Sequence, residues 1–203
     1  MITLVQNPDR KEYYIQGKQS QIDLFQKKQH TLTIHLSIET SFLYAVFLDD
    51  SILDITITTE KNVDSSEHSS IQGQIFAFIP AKSSSTSSLT VNTVLQTSGA
   101  EIKVHLIAIQ DEQATVTLQG AISIMENVEN VSGHLLEEVV LLGNSSYTSL
   151  KPILNVSSPD VQASHGAKVH RISADKLFYM QSKGLPIGTA TGMMIDSYVQ
   201  QIL

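Results

Sequence analysis

Seven histidines and no cysteine define the chemistry that this chain can offer. Without thiolates there is no disulfide and no thiol nucleophile, and a metal could be held only by imidazole, carboxylate, hydroxyl, thioether or backbone groups. His165 is the imidazole best placed for such a role. It stands between Ser164 and Gly166, small neighbours that let a facing surface come close. Read from the residues alone, a lone histidine is more often a hydrogen-bonded structural residue at the end of a strand than a ligand, and both readings stay open. His105, His134 and His170 lack His-x-x-x-His spacing and read as structural or exposed. His30, His35 and Glu39 would share a helical face, but Thr31 to Ile38 alternates like a strand, which separates them, so no zinc site is expected.

Glycosidic chemistry needs a pair of acids converging on one bond. Asp49-Asp50 and the run Glu126, Glu129, Glu137 and Glu138 read instead as solvated turn residues. Gly188-Thr-Ala-Thr-Gly192 lacks the Lys-Ser/Thr that cradles phosphate. A net charge of -7 with no basic block argues against nucleic acid or an anionic membrane as a partner. No apolar run approaches the roughly 18 residues of a membrane span. Asp9, Arg10, Lys11 and Glu12 interrupt the start of the chain before any signal-type apolar core, so the sequons at Asn130, Asn144 and Asn155 carry little weight and a cytoplasmic protein is expected.

These side chains must be positioned by strands. From Gln21 to about Ile172 short apolar stretches alternate with polar turns. Leu32, Ile34, Leu36 and Ile38 take one face of their segment, with Thr31, Thr33, His35 and Ser37 on the other. Ile52–Thr58, Ile71–Ile79, Leu89–Leu95, Ile102–Ile109 and Ala114–Ile124 follow the same style. Breaks fall at Asp49-Asp50, Asp64 to Ser66, Ser83 to Ser88, Ser98-Gly99 and Gln110 to Glu112, with Ser83 to Ser88 read as an exposed loop. Charged residues make up only 16% of the chain, and Ser, Thr, Gln and Asn fill their place, which favours pleated structure. Neither Asn-Gly nor Asp-Gly occurs, so hairpins lack their best turn signal and a β-solenoid fits better, although no strict repeat period is visible. After Ile172 the pattern turns helical. Ser173 is an N-cap, Asp175 lies in the first turn, Gly184 is a stop, and Pro186 opens a second helix towards Tyr198. That helix has Ala190, Met193, Met194, Ile195 and Val199 as its apolar positions.

Several blocks then occur in a telling order. Lys151-Pro152, Asp160-Val161, Ser164-His165-Gly166-Ala167, Leu177-Phe178-Tyr179 and Ser182-Lys183-Gly184 resemble the C-terminal signature of the SufB/SufD family of iron–sulfur cluster assembly proteins, and its SufD branch in particular. Leu118 to Ile122, Gly133-His134 and Val140 to Leu142 resemble the Gly-containing and Leu-rich strands upstream of it. The close match covers the last quarter, a looser one reaches back to about Thr90, and residues 1–89 carry no motif. Two departures stand out: Ala163 replaces a common Cys, and typical members are about twice as long (length prior). The chain thus resembles a reduced core without the family's N-terminal helical region.

The resemblance implies an all-β right-handed parallel β-helix over residues 1–172, followed by a C-terminal helical segment over 173–203. It implies a non-catalytic, SufD-like scaffold subunit that pairs with a SufB-like sister or with itself. A SufC-like ABC ATPase would dock on the C-terminal helices through Leu177, Phe178 and Tyr179. It also implies a transient iron–sulfur cluster shared with the partner subunit, with His165 near that interface. A stand-alone β-solenoid that binds or cleaves polysaccharide is the alternative, distinguished by carbohydrate binding without an ATPase partner.

Overall fold

The computed structural model describes residues 2–6, 12–26, 28–37, 40–60, 70–143 and 146–200, with the backbone alone for 2–6 and Val199. Fourteen strands in those residues form two parallel sheets. The first, sheet A, runs β1 (Ile2–Gln6), β3 (Lys18–Gln26), β5 (Ser41–Asp49), β7 (Ile71–Ala81), β9 (Ala100–Gln110), β11 (Val131–Leu141) and β14 (Val161–Arg171). Sheet B runs β2 (Glu12–Ile15), β4 (Gln29–Leu36), β6 (Ile52–Thr59), β8 (Thr86–Leu95), β10 (Thr115–Ile124) and then β12 (Tyr147–Leu150) with β13 (Ile153–Val156), both paired to β10. Apart from β12 and β13, successive strands alternate between the sheets, and the strand pairs among the described residues are parallel, so the chain winds as a β-helix of two-strand coils.

Alternation explains why these residues wind this way. Leu32, Ile34, Leu36, Leu53, Ile55, Ile57, Leu89 and Val91 point inward and are buried, while the Thr and Ser between them face water. Each inward aliphatic contributes roughly 1.5–3 kcal/mol of burial, and stacking brings like residues level from coil to coil. The missing repeat has a plain cause. Ile2 pairs with Ser20 and Lys18 with Ser41, but Ser41 pairs with Gln72, Ile71 with Ala100 and Val131 with Val161, so the first coils are short and the later ones longer and unequal. Loops absorb the difference, and Asp50, Ser84, Gln113, Asn127 and Asn130 turn there with positive φ.

Three sequence expectations need correction or extension. The coils begin at Ile2 and not at Gln21. Only the first half of Ser83 to Ser88 is loop, because Thr86 already belongs to β8 and Ser87 is buried inside the coil. Glu137 and Glu138 are not turn residues; they lie in the middle of β11 and are buried. Ile38, Glu39, Asp64 to Ser66 and Asn144 fall outside the described residues.

Two helices close the chain. α1 (Ala174–Ser182) starts where the Ser173 side chain accepts the Lys176 amide at 3.3 Å. It stops at Gly184, whose φ of 89° suits glycine and whose amide bonds the Gln181 carbonyl at 2.9 Å. α2 (Ile187–Gln200) follows Pro186, whose carbonyl accepts the Ala190 amide.

Candidate functional site

β14 is the last strand of sheet A, and among the described residues no strand pairs with its outer edge. Its register sets Ala163 opposite Gly133, His165 opposite Leu135 and Ala167 opposite Glu137. By parity His165 therefore takes a core-facing position. Among the described residues no further coil stacks beyond it, however, so an inward position becomes an exposed one: His165 and Ala167 are exposed and Val169 is 51% exposed. Ala163 still packs on the core. In sheet B the matching end is the short pair β12 and β13, where Tyr147 and Val156 are exposed. His165 thus sits on the open C-terminal end of the coil with small residues on either side.

Its neighbours differ in role. His134 is on the outer face of β11, and hydroxyls pin both of its ring nitrogens. Ser164 Oγ lies 2.7 Å from Nδ1 and Ser132 Oγ 3.1 Å from Nε2. One nitrogen donates and the other accepts, so a structural role for His134 is satisfied in full. Beside it a depression of about 410 Å³ is lined by Phe76, Val104, His105, Leu136, His165 and Gly166, among others. Gly166 is not demanded by packing within this chain, since an added Cβ would meet only Leu136 at an ordinary 3.7 Å. Gly120 is different. There a Cβ would lie 2.5 Å from Leu135 Cδ1, so any larger residue would force the buried Leu135 side chain to move.

Two carboxylates missed by reading the acids as turns shape this end. Between β12 and β13 the pairing with β10 is interrupted: the Lys151 amide still donates to the Leu118 carbonyl at 3.0 Å, and the register resumes only at Ile153 opposite Ala121. The Gly120 amide donates instead to one oxygen of Glu137, reaching across from sheet A, at 2.6 Å. The second oxygen of Glu137 is buried without a hydrogen bond. Burial pushes its carboxyl up to about 7, against the pull of the Gly120 and Lys151 amides. Glu138 faces outward and accepts from Lys168 Nζ at 3.0 Å, with His105 Nε2 at 3.2 Å; His170 Nδ1 lies 3.5 Å away without a hydrogen bond. Burial pushes the His105 and His170 imidazoles down. The sequence did hold a signal: two adjacent acids inside Leu135-Leu136…Val139-Val140, with no turn residue near, belong to a strand.

Other candidates are not brought together. His30 faces inward against Phe25, with ring centroids 4.8 Å apart, whereas His35 stacks on Tyr14 outside, at 4.6 Å. Among the described residues no three histidines or acids converge as a metal-ligand group. On α1, Phe178 and Tyr179 are 74% and 62% exposed and Leu177 is half-buried, so the helix turns much of its apolar surface to water. Lys183 Nζ lies 5.4 Å from the Tyr179 ring centre.

The family model described as "SUF system FeS cluster assembly, SufBD core domain" matches residues 54–198. The chain belongs to the SufBD family. Its relatives include an iron–sulfur cluster assembly SufBD family protein of Synechocystis, 29% identical over 105 residues, or 52% of this chain and 23% of that one. The iron–sulfur cluster assembly protein SufD of Escherichia coli is 27% identical over 100 residues, covering 49% of this chain and 23% of that protein. SufB of Bacillus subtilis is 23% identical over 93 residues, covering 46% and 20%. The matched stretch thus spans less than a quarter of each of these relatives. No helix among the described residues is long and apolar enough to cross a membrane.

Proposed function

We propose that this SufBD-family chain is a non-catalytic, SufD-like scaffold subunit of an iron–sulfur cluster assembly complex. The observation that carries the reading is the family match over 54–198, which contains both the open coil end and the helical pair. Membership favours a scaffold over a stand-alone solenoid acting on polysaccharide. In this reading the open end of sheet A meets a sister β-helix, a SufB-like subunit or a second copy. The α1–α2 pair docks a SufC-like ABC ATPase through Leu177, Phe178 and Tyr179. His165 serves as an iron or cluster ligand across the subunit junction, and the thiolates come from the partner because this chain has no cysteine.

Three features support it. Three inner-face positions of β14 are open to solvent. Gly166 leaves room that its own fold does not need. Phe178 and Tyr179 expose large rings from a short helix. Co-purification from the native host tests the assembly: an ABC-type ATPase should accompany the full chain and be lost when residues 175–203 are deleted, with the β body still folded by circular dichroism. Persistence of the ATPase on the truncated chain would reject docking through the helices. His165→Ala, assembled with a Cys-bearing partner and reconstituted anaerobically, should lower the visible absorption of the cluster with the complex intact. Unchanged absorption would make His165 structural.

A further inference from the structure

The outer face of sheet A carries an apolar strip where a solenoid normally meets water. Phe78, Ile107, Ile109 and Val140 point outward yet are buried, packed with Phe47, Phe76, Leu142 and Ile172. Part of their cover is α2, through Ile195 and Tyr198, which lie three residues apart and so share a helix face. By contrast α1 buries no side chain. The pair of helices is therefore seated near the far end of α2, while α1 projects outward.

A chain of polar contacts lies at that seat. Tyr198 Oη is 2.8 Å from His170 Nε2, with the two rings 5.8 Å apart. His170 Nδ1 is buried 3.5 Å from the Glu138 carboxylate, close enough for electrostatic attraction but without a hydrogen bond, and Glu138 in turn holds Lys168 and His105. A carboxylate on the Nδ1 side favours the tautomer with its proton there, and that leaves Nε2 free to accept from the tyrosine hydroxyl. Three strand-borne groups from β9 and β14 thus cluster around Glu138 of β11, and one of them, His170, meets the hydroxyl from α2.

We propose that Glu138 is a positioning residue for the α1–α2 pair: through His170 it latches Tyr198, closing α2 as a lid over the apolar strip of sheet A. The latch deepens the docking reading above, since it fixes how the exposed α1 surface is presented. It is tested on the chain alone, so a failure of the latch and a failure of ATPase docking remain distinguishable. In Tyr198→Phe only the hydroxyl is lost, and hydrogen exchange across α2 should rise about fivefold, the worth of one modest hydrogen bond, with β8 and β10 unchanged. Glu138→Gln should produce the same opening and also shift the ring ¹⁵N resonances of His170 away from the Nδ1-protonated pattern. A merely structural carboxylate would not move that signature. Wild-type exchange in α2 of Tyr198→Phe, or an unaltered His170 tautomer in Glu138→Gln, would overturn the proposal.

Discussion

Glu137 places an acid inside a core that is otherwise aliphatic at that end of the coil. Its carboxyl titrates near 7 when folded and near 4.5 when unfolded, so the folded state binds more protons between those values. Stability is therefore greatest at and below about pH 4.5 as far as this group is concerned, and declines as pH rises to about 7. The full effect is about 3 kcal/mol. Glu137→Gln keeps an acceptor for the Gly120 amide and cannot ionise. Urea unfolding at pH 5 and pH 8 should show the wild type losing stability relative to the variant by about that amount; parallel behaviour would refute the assignment. Asp23 is also buried, with its carboxyl raised by burial and held by Tyr44 at 2.6 Å, but it is common to both proteins and drops out of the difference. A second test concerns packing. Gly120→Ala forces a Cβ onto Leu135 and should cost about 1–3 kcal/mol of stability by the same measurement, whereas Gly166→Ala should cost far less.

Single elements differ sharply in what sustains them. β7, β9 and β11 are flanked by paired strands on both sides and filled by inward aliphatics. α1 has nine residues, no buried side chain and one capping side chain, so local chemistry supports it. Ser173→Ala should cost about 1 kcal/mol there and raise amide exchange in 174–182 while leaving β11 at wild-type protection. This contrast also explains what was legible in the sequence. Period-two alternation disclosed β4, β6, β8 and β10, and the caps disclosed both helices, because those signals are local. Glu137 and Glu138 were misread because their partners, the Gly120 amide and Lys168, are 17 and 30 residues away. The exposure of His165 was hidden for a similar reason: its alternation marks an inward residue, and only the end of the stack turns that position outward.

For the whole molecule, the stacking of coils makes nearly every contact distant in sequence, since each strand meets its neighbour one full coil away. Such topologies fold slowly, because each new coil must close a long loop before burial rewards it. Refolding from urea should proceed in the millisecond-to-second range or slower, and sub-millisecond single-phase recovery would be inconsistent with this topology. Stability propagates between adjacent coils, so Val139→Ala, one coil from the open end, should loosen β14 more than β5 in a hydrogen-exchange map.

The unpaired edge of β14 also has a colloidal consequence. Eleven residues of extended chain without a proline present amides and carbonyls to solvent, with only Lys168 and Arg171 as charged guards. The association state of the isolated chain should therefore depend on its concentration. Light scattering should show the apparent mass rising on concentration, and Ala167→Pro, which removes a donor at this edge, should suppress that rise.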